Sequence, residues 1–152
     1  MKGLKIFSLV MLMAMTFVGC EPEVNGPVNG GGEKGELSGE WVLTSWNEAT
    51  PEFNVYIDFN EDGSFAMYQQ VWSFDYELFE GTYTINGDIV TGVYADGTNW
   101  ACGYKFTKEG DTLTMYSQED QSVTSVYNKC EIPAEIKAEA EATRSSEVVP
   151  FL

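Results

Sequence analysis

Histidine is absent from the 152 residues, and cations are scarce, with 8 Lys and Arg against 24 Asp and Glu. The first absence removes the commonest metal ligand and the commonest general base. Zinc chemistry and a Ser-His or Cys-His nucleophile lose their usual partner with it. The shortage of cations argues against nucleic-acid binding, which rests on neutralising phosphates. An anionic bilayer surface repels such a chain as well. Long apolar runs are also missing. The nearest to one, Ile6 to Val18, is broken by Ser8 and Thr16, and it falls short of the roughly 20 residues that cross a bilayer. No catalytic constellation emerges either. The acid pairs Glu48/Glu52, Asp75/Glu77 and Glu119/Asp120 are of the type that hydrolyses glycosides. In so acidic a chain they read as solvated loop carboxylates. The expectation is a protein that is not an enzyme and needs no cofactor or metal.

What is present begins at the N-terminus. Met1-Lys2-Gly3-Leu4-Lys5 is basic, the run after it is apolar and short, and small residues close it. This is the layout of a secretory signal peptide. Its end, Phe17-Val18-Gly19-Cys20, resembles the bacterial lipobox, with Phe17 where that motif usually has Leu. The resemblance implies cleavage after residue 19 and lipidation of Cys20, which would tie the chain to a lipid bilayer through more than one acyl chain. From Cys20 to Glu36 follow three adjacent glycines, two prolines and four acids. Such a segment buries too little to offset its ordering entropy and is expected to be a flexible tether. The location implied is the cell envelope, as an outer-membrane lipoprotein facing the periplasm or exposed on the surface.

Between Leu37 and Pro133 the composition shifts to Tyr, Phe, Trp, Val and Thr, punctuated by turn residues. Eight strand-like runs are expected, at Glu40–Asn47, Phe53–Phe59, Ser64–Trp72, Leu78–Ile85, Ile89–Tyr94, Asn99–Thr107, Thr112–Ser117 and Ser122–Glu131. Asn60-Glu61-Asp62-Gly63, Asn86-Gly87, Ala95-Asp96-Gly97 and Lys108-Glu109-Gly110 lie between runs and suit tight hairpins. Phe53, Val55, Ile57 and Phe59 alternate with polar neighbours, and so do Trp100, Cys102, Tyr104 and Phe106. Connections this short make successive strands pair in an antiparallel meander. Closing it removes two unpaired edges. The fold class is therefore all-β: an eight-stranded antiparallel up-and-down barrel.

Gly39-Glu40-Trp41 heads the first strand. It is similar to the Gly-x-Trp motif of lipocalins. With the strand count, the turn order and the lipobox, the chain resembles the lipocalin-like lipoproteins of Gram-negative gut bacteria over Gly39 to Pro133. That resemblance implies that Trp41 plugs the closed end of the barrel. Lipocalins carry a short helix before the first strand and an arginine near the last one that covers the tryptophan. Here a Gly/Glu spacer precedes Gly39, and Lys129 is the nearest cation in the last run. After Pro133, residues 134–152 form a separate tail. Ala134–Thr143 is rich in helix formers, with Lys137 and Glu141 four apart. A helix of that length needs a surface to pack on. Val148-Val149-Pro150-Phe151-Leu152 is apolar enough to dock too, disorder being the alternative.

If Trp41 marks the closed end, the mouth gathers Glu48–Glu52, Ser73–Glu77, Ala95–Gly97 and Gln118–Gln121. Trp46, Trp72, Phe74, Tyr76, Tyr94, Trp100 and Tyr104 lie in or beside these connections and are the candidate ligand-binding residues. Apolar walls with few polar groups describe a small-molecule site. The acids of the same loops (Glu48, Glu52, Asp75, Glu77, Asp96, Glu119, Asp120) disfavour anions. A small apolar ligand, neutral or cationic, is the expected partner. The competing reading is ordinary packing: Tyr56, Tyr68 and Trp72 would form an outward patch covered by the C-terminal segment, and the protein would be an accessory lipoprotein with a side-chain-filled barrel that acts through its surface. Cys102 and Cys130 can pair in an oxidising envelope. Their strands are not neighbours in a meander, so two buried free thiols are the alternative. Asp58 to Gly63 matches the opening of a calcium loop, but Gln69 stands where a bidentate carboxylate is needed. A hairpin turn is expected there.

Overall fold

The computed structural model describes residues 34–142 and 148–152. The signal peptide, Cys20 and the tether before Lys34 lie outside the described residues, as does Thr143 at the expected end of the helix. A 3-10 turn, Lys34–Glu36, leads into β1 (Gly39–Trp46), β2 (Asn54–Phe59), β3 (Ser64–Gln70) and β4 (Glu77–Asn86). Then come β5 (Ile89–Tyr94), β6 (Tyr104–Glu109), β7 (Thr112–Ser117), β8 (Thr124–Lys129) and α1 (Ala134–Ala142). Every strand pairs antiparallel with the next, and β8 returns to β1 through Trp41↔Lys129 to Trp46↔Ser125, with a bulge between Leu43 and Ser45. The barrel is closed. No helix among the described residues is long and apolar enough to cross a membrane.

Alternation puts Val55, Ile57, Phe59, Phe65, Met67, Leu113, Met115 and Tyr127 inside, all nearly or fully buried. Each such side chain contributes about 1.5–3 kcal/mol of hydrophobic stabilisation. The Asp58–Gly63 stretch is a hairpin. Gly63 adopts φ +89, its N–H donates to the Asn60 carbonyl at 3.0 Å, and the Asp62 carboxylate accepts from Ser64 N–H at 2.8 Å.

The closed end is built on Trp41, which is fully buried. Its Nε1 donates to the Leu37 carbonyl at 2.8 Å, and Lys129 Nζ lies 5.9 Å from its ring centroid. The Leu37 carbonyl is available because the 3-10 turn folds Leu37 beneath the barrel. The helix missing from the sequence pattern is thus replaced by a single turn, and the tether expected to run to Glu36 is already ordered at Lys34–Glu36.

Outside the barrel, α1 covers the outward faces of β2, β3 and β4. Ile132, Ile136 and Ala140 pack with Tyr68, Tyr56, Tyr76, Leu78 and Cys130. Lys137 does not pair along the helix with Glu141. It reaches Glu40 of β1 instead, where its ammonium donates to the carboxylate. Glu40 also accepts the Ile132 N–H at 2.7 Å. A partly buried carboxylate holds the ammonium better than an exposed one can.

One expectation changes, and one point left open is answered. Strand six starts at Tyr104, five residues later than Asn99. Gly92 explains this: a Cβ there would lie 2.1 Å from Trp100 Cε2. The Trp100 indole fills the space that Gly92 leaves inside the barrel; Asn99 still bridges Val93 and the Trp100 N–H donates to the Gly92 carbonyl at 2.9 Å, and the chain leaves β5 over residues 101–103. Only Ile89↔Lys105 and Val90↔Tyr104 then join β5 to β6. The other point concerns the cysteines, whose pairing the sequence leaves open: Cys102 and Cys130 are free and half-buried. Cys102 lies in the β5–β6 connection at one end of the barrel, and Cys130 follows β8 at the other, so the height of the barrel separates them. Cys102 Sγ instead sits 3.3 Å from Ser117 Oγ.

Candidate functional site

The β1–β2, β3–β4, β5–β6 and β7–β8 connections surround the end opposite Trp41. A strained turn sets the first aromatic there. Asn47 and Glu48 are both left-handed, with φ 50 and 64, an arrangement that non-glycine residues adopt at a cost. Asn47 N–H donates to the Thr124 carbonyl at 2.8 Å, and its side chain accepts the Thr124 N–H at 3.0 Å. Trp46, just before the turn, meets Phe53 edge-on with centroids 5.3 Å apart. A cavity of about 460 Å³ opens beside them, lined by Trp46, Phe53, Val71, Trp72, Tyr104 and Phe151 among others. Val123 and Ser125 close it from the β7–β8 side. Its walls are mostly aromatic and aliphatic, as in sites that bury small organic ligands.

The chain's own last residues enter this mouth. Gln69 of β3 is completely buried and faces inward. Its Nε2 donates to the Val149 carbonyl at 3.0 Å, and its Oε1 accepts the Phe151 N–H at 2.7 Å. Trp72 Nε1 donates to the same Val149 carbonyl at 3.1 Å. Deeper, the Tyr94 hydroxyl donates to the Leu152 main-chain oxygen at 2.7 Å. Burial pushes the Tyr94 phenol up, so it keeps its proton. The Phe151 ring packs against Trp46 and Phe53, and Leu152 is 2 % exposed within the core. Docking of Val148–Leu152 was legible from its composition; its insertion into the barrel was not.

The candidate residues separate into groups. Trp46, Trp72 and Tyr104 line the cavity, and Tyr94 lies beneath it, holding the tail. Phe74 is 97 % exposed on the β3–β4 connection and borders a shallow surface depression with Glu52, Gln70 and Trp72. Trp100 belongs to the interior: it is buried against Phe65 and Tyr104 and does not line the cavity. Tyr76 turns outward, 6.1 Å from the Tyr56 ring, with its backbone N–H on Glu139 at 3.1 Å. It supports α1, not the mouth. Burial there pushes its phenol up to about 12.

The patch expected as the competing reading exists in part. Tyr56 and Tyr68 are covered by α1, whereas Trp72 stands 69 % exposed at the mouth. Phe53, Val71, Val123, Ser125 and Gln69 were missed. Gln69 carried a readable signal, since it continues the inward series Phe65, Met67.

Six of the seven rim acids are exposed. Asp96 and Asp120 cap their turns, each accepting hydroxyl and backbone hydrogen bonds, from Thr98 and from Ser122 respectively. Those bonds hold both carboxyls below the usual range. Glu77 differs from the rim. It is 5 % exposed, lies directly across from Gln69 in the β3–β4 register, and its Oε2 has no donor among the described residues. Also among the described residues, no group of His, Cys, Asp or Glu is arranged to hold a metal ion.

Below the mouth, Phe59 and Tyr83 meet at 4.9 Å, and the Tyr83 hydroxyl donates to the Asn60 carbonyl at 2.8 Å.

A closed eight-stranded antiparallel meander, with a buried tryptophan at one end and a cavity at the other, defines an up-and-down β-barrel. The sequence model of the lipocalin-like domain family matches residues 37–115. The chain belongs to that family. A crystal structure of a lipocalin-like protein from Bacteroides uniformis ATCC 8492 is similar to it at 17 % identity, covering 62 % of this chain and 98 % of that one, with a TM-score of 0.49. No curated protein sequence matches the chain.

Proposed function

We propose that the protein is a non-enzymatic, membrane-tethered barrel that binds or carries a small apolar molecule, neutral or cationic, at its open end. The observation that carries this reading is the apolar cavity of about 460 Å³ between Trp46, Trp72 and Tyr104. The exposed carboxylates around it favour neutral or cationic ligands over anions. The lipobox-like Phe17-Val18-Gly19-Cys20 supports anchoring in a Gram-negative envelope, with lipid on Cys20 doing what the acidic surface cannot. One observation favours the second reading, an accessory lipoprotein acting through its surface: the rings of Phe59, Phe65, Tyr83 and Trp100 pack together inside the barrel below the mouth.

Titration with a neutral apolar fluorophore such as Nile red separates the two. Carriage predicts saturable uptake with quenching of tryptophan emission, weakened about tenfold by Trp46→Ala. Absence of uptake across a broad apolar library would leave the surface reading. For the anchor, Cys20→Ser releases the protein into the soluble fraction; a variant that stays with the membrane refutes lipidation.

A further inference from the structure

The geometry points to a second property of the mouth: it is a recognition site for the main chain of an extended apolar peptide, seated at present with residues 149–152. The inference rests on the reading that the open end is the binding end, and it adds the ligand class. A packing contact between an apolar tail and an apolar mouth needs no polar groups. Here three side chains converge on main-chain atoms. Gln69 gives its amide donor to one residue and its amide acceptor to the residue two further on. This is the pairing an adjacent β-strand would offer, and it reads an extended backbone whatever its side chains. Trp72 Nε1 adds a donor to the Val149 carbonyl, and the Tyr94 hydroxyl adds one to the Leu152 oxygen. A wholly buried glutamine is costly to keep unless both ends of its amide are bonded. Its place inside the barrel therefore makes sense only with a peptide against it.

Side-chain selectivity comes from two places. Trp46 and Phe53 form an aromatic corner that receives Phe151, and the core beneath receives Leu152. Residues 149–152 occupy only part of the mouth, since the cavity continues past Pro150 and Phe151. Glu77 Oε2, across from Gln69, is buried with no donor among the described residues, 149–152 included.

The test uses the full chain with Phe151→Ser and Leu152→Ser, which loosens the tail's hold, and the synthetic pentapeptide Val-Val-Pro-Phe-Leu as the probe. Tryptophan fluorescence should report saturable binding to this variant and at least tenfold weaker binding to the unaltered chain, whose site is filled. Gln69→Leu added to the variant should weaken the pentapeptide at least tenfold, a far larger loss than it brings to Nile red, which has no main chain to pair with. A variant that melts cooperatively and takes up Nile red but ignores the pentapeptide overturns the peptide site and leaves the carrier reading standing. If neither probe binds, both fail. A measurement on the unaltered chain covers the case of a variant that does not fold. The Phe151 amide should be protected from hydrogen exchange and lose that protection in Gln69→Leu. An unprotected amide in the unaltered chain refutes the inference.

Discussion

The two ends of the barrel solve the same problem with different means. At the closed end, Trp41 is fully buried, its indole N–H donates to the Leu37 carbonyl, and the Lys129 ammonium lies over its ring. Leu37, also fully buried, helps fill the space, and the indole's partner lies four residues away in the chain. At the open end a different piece of chain does the filling. Residues 149–152 are held by three polar side chains aimed at main-chain atoms, beside a cavity and a buried carboxylate. That difference is why the open end, and not the plug, is the one proposed as the site.

The comparison can be broken most sharply by truncating one tryptophan from each end. Trp41→Ala should cost about 3–5 kcal/mol, because it leaves a cavity in a packed core and strands the Leu37 carbonyl. Trp46→Ala should cost no more than about 1 kcal/mol, since the ring is 38 % exposed and borders a space already open. Urea midpoints of the two variants check this. Equal costs would mean that the mouth is as much a core as the plug.

A smaller effect sharpens the picture on the outer face, where α1 belongs to neither end. Burial raises the Glu40 carboxyl, but the hydrogen bond from Lys137, the Ile132 N–H and the Lys137 charge outweigh it and hold it below 4.5. The hydrogen bond to Glu40 in turn raises Lys137 above 10.5. Glu40's contribution is therefore complete above its unfolded pKa and fades as pH falls through its depressed folded value. Lys137's is complete below 10.5 and fades as pH rises through its raised one. Lys137→Met should loosen the helix by about 1 kcal/mol near neutrality. Amide exchange of Ile136 to Ala140 should show that difference at pH 7 and lose it in acid, as pH falls through the depressed Glu40 value and the carboxyl is protonated. A difference that persists in acid would assign the docking to Ile136 and Ala140 alone.

The barrel was legible in the sequence because each strand alternates and each turn carries a residue suited to a hairpin. The order of strands follows from connections too short to cross the barrel. The site was only partly legible, for reasons that can be named. Trp100, Cys102, Tyr104 and Phe106 alternate like a strand, and nothing in that spacing shows that the strand is interrupted after Trp100, whose ring covers Gly92. Tyr76 sits beside mouth residues in the chain, yet it faces the opposite side of the sheet, a difference of one residue in phase. The apolar tail signals docking without an address. Gln69 was the clue that periodicity offered, a polar side chain at the third position of an inward series, and its meaning depends on a partner some 80 residues away.

The most direct test of the account is a map of where an apolar probe touches the protein. Backbone and aromatic resonances followed during titration with Nile red should shift at Trp46, Phe53, Val71, Tyr104, Ser125 and Phe151, and stay still at Trp41, Leu37 and Lys129. Shifts gathered instead at Tyr56, Tyr76 and the inner face of α1, or spread evenly over both ends, would contradict it.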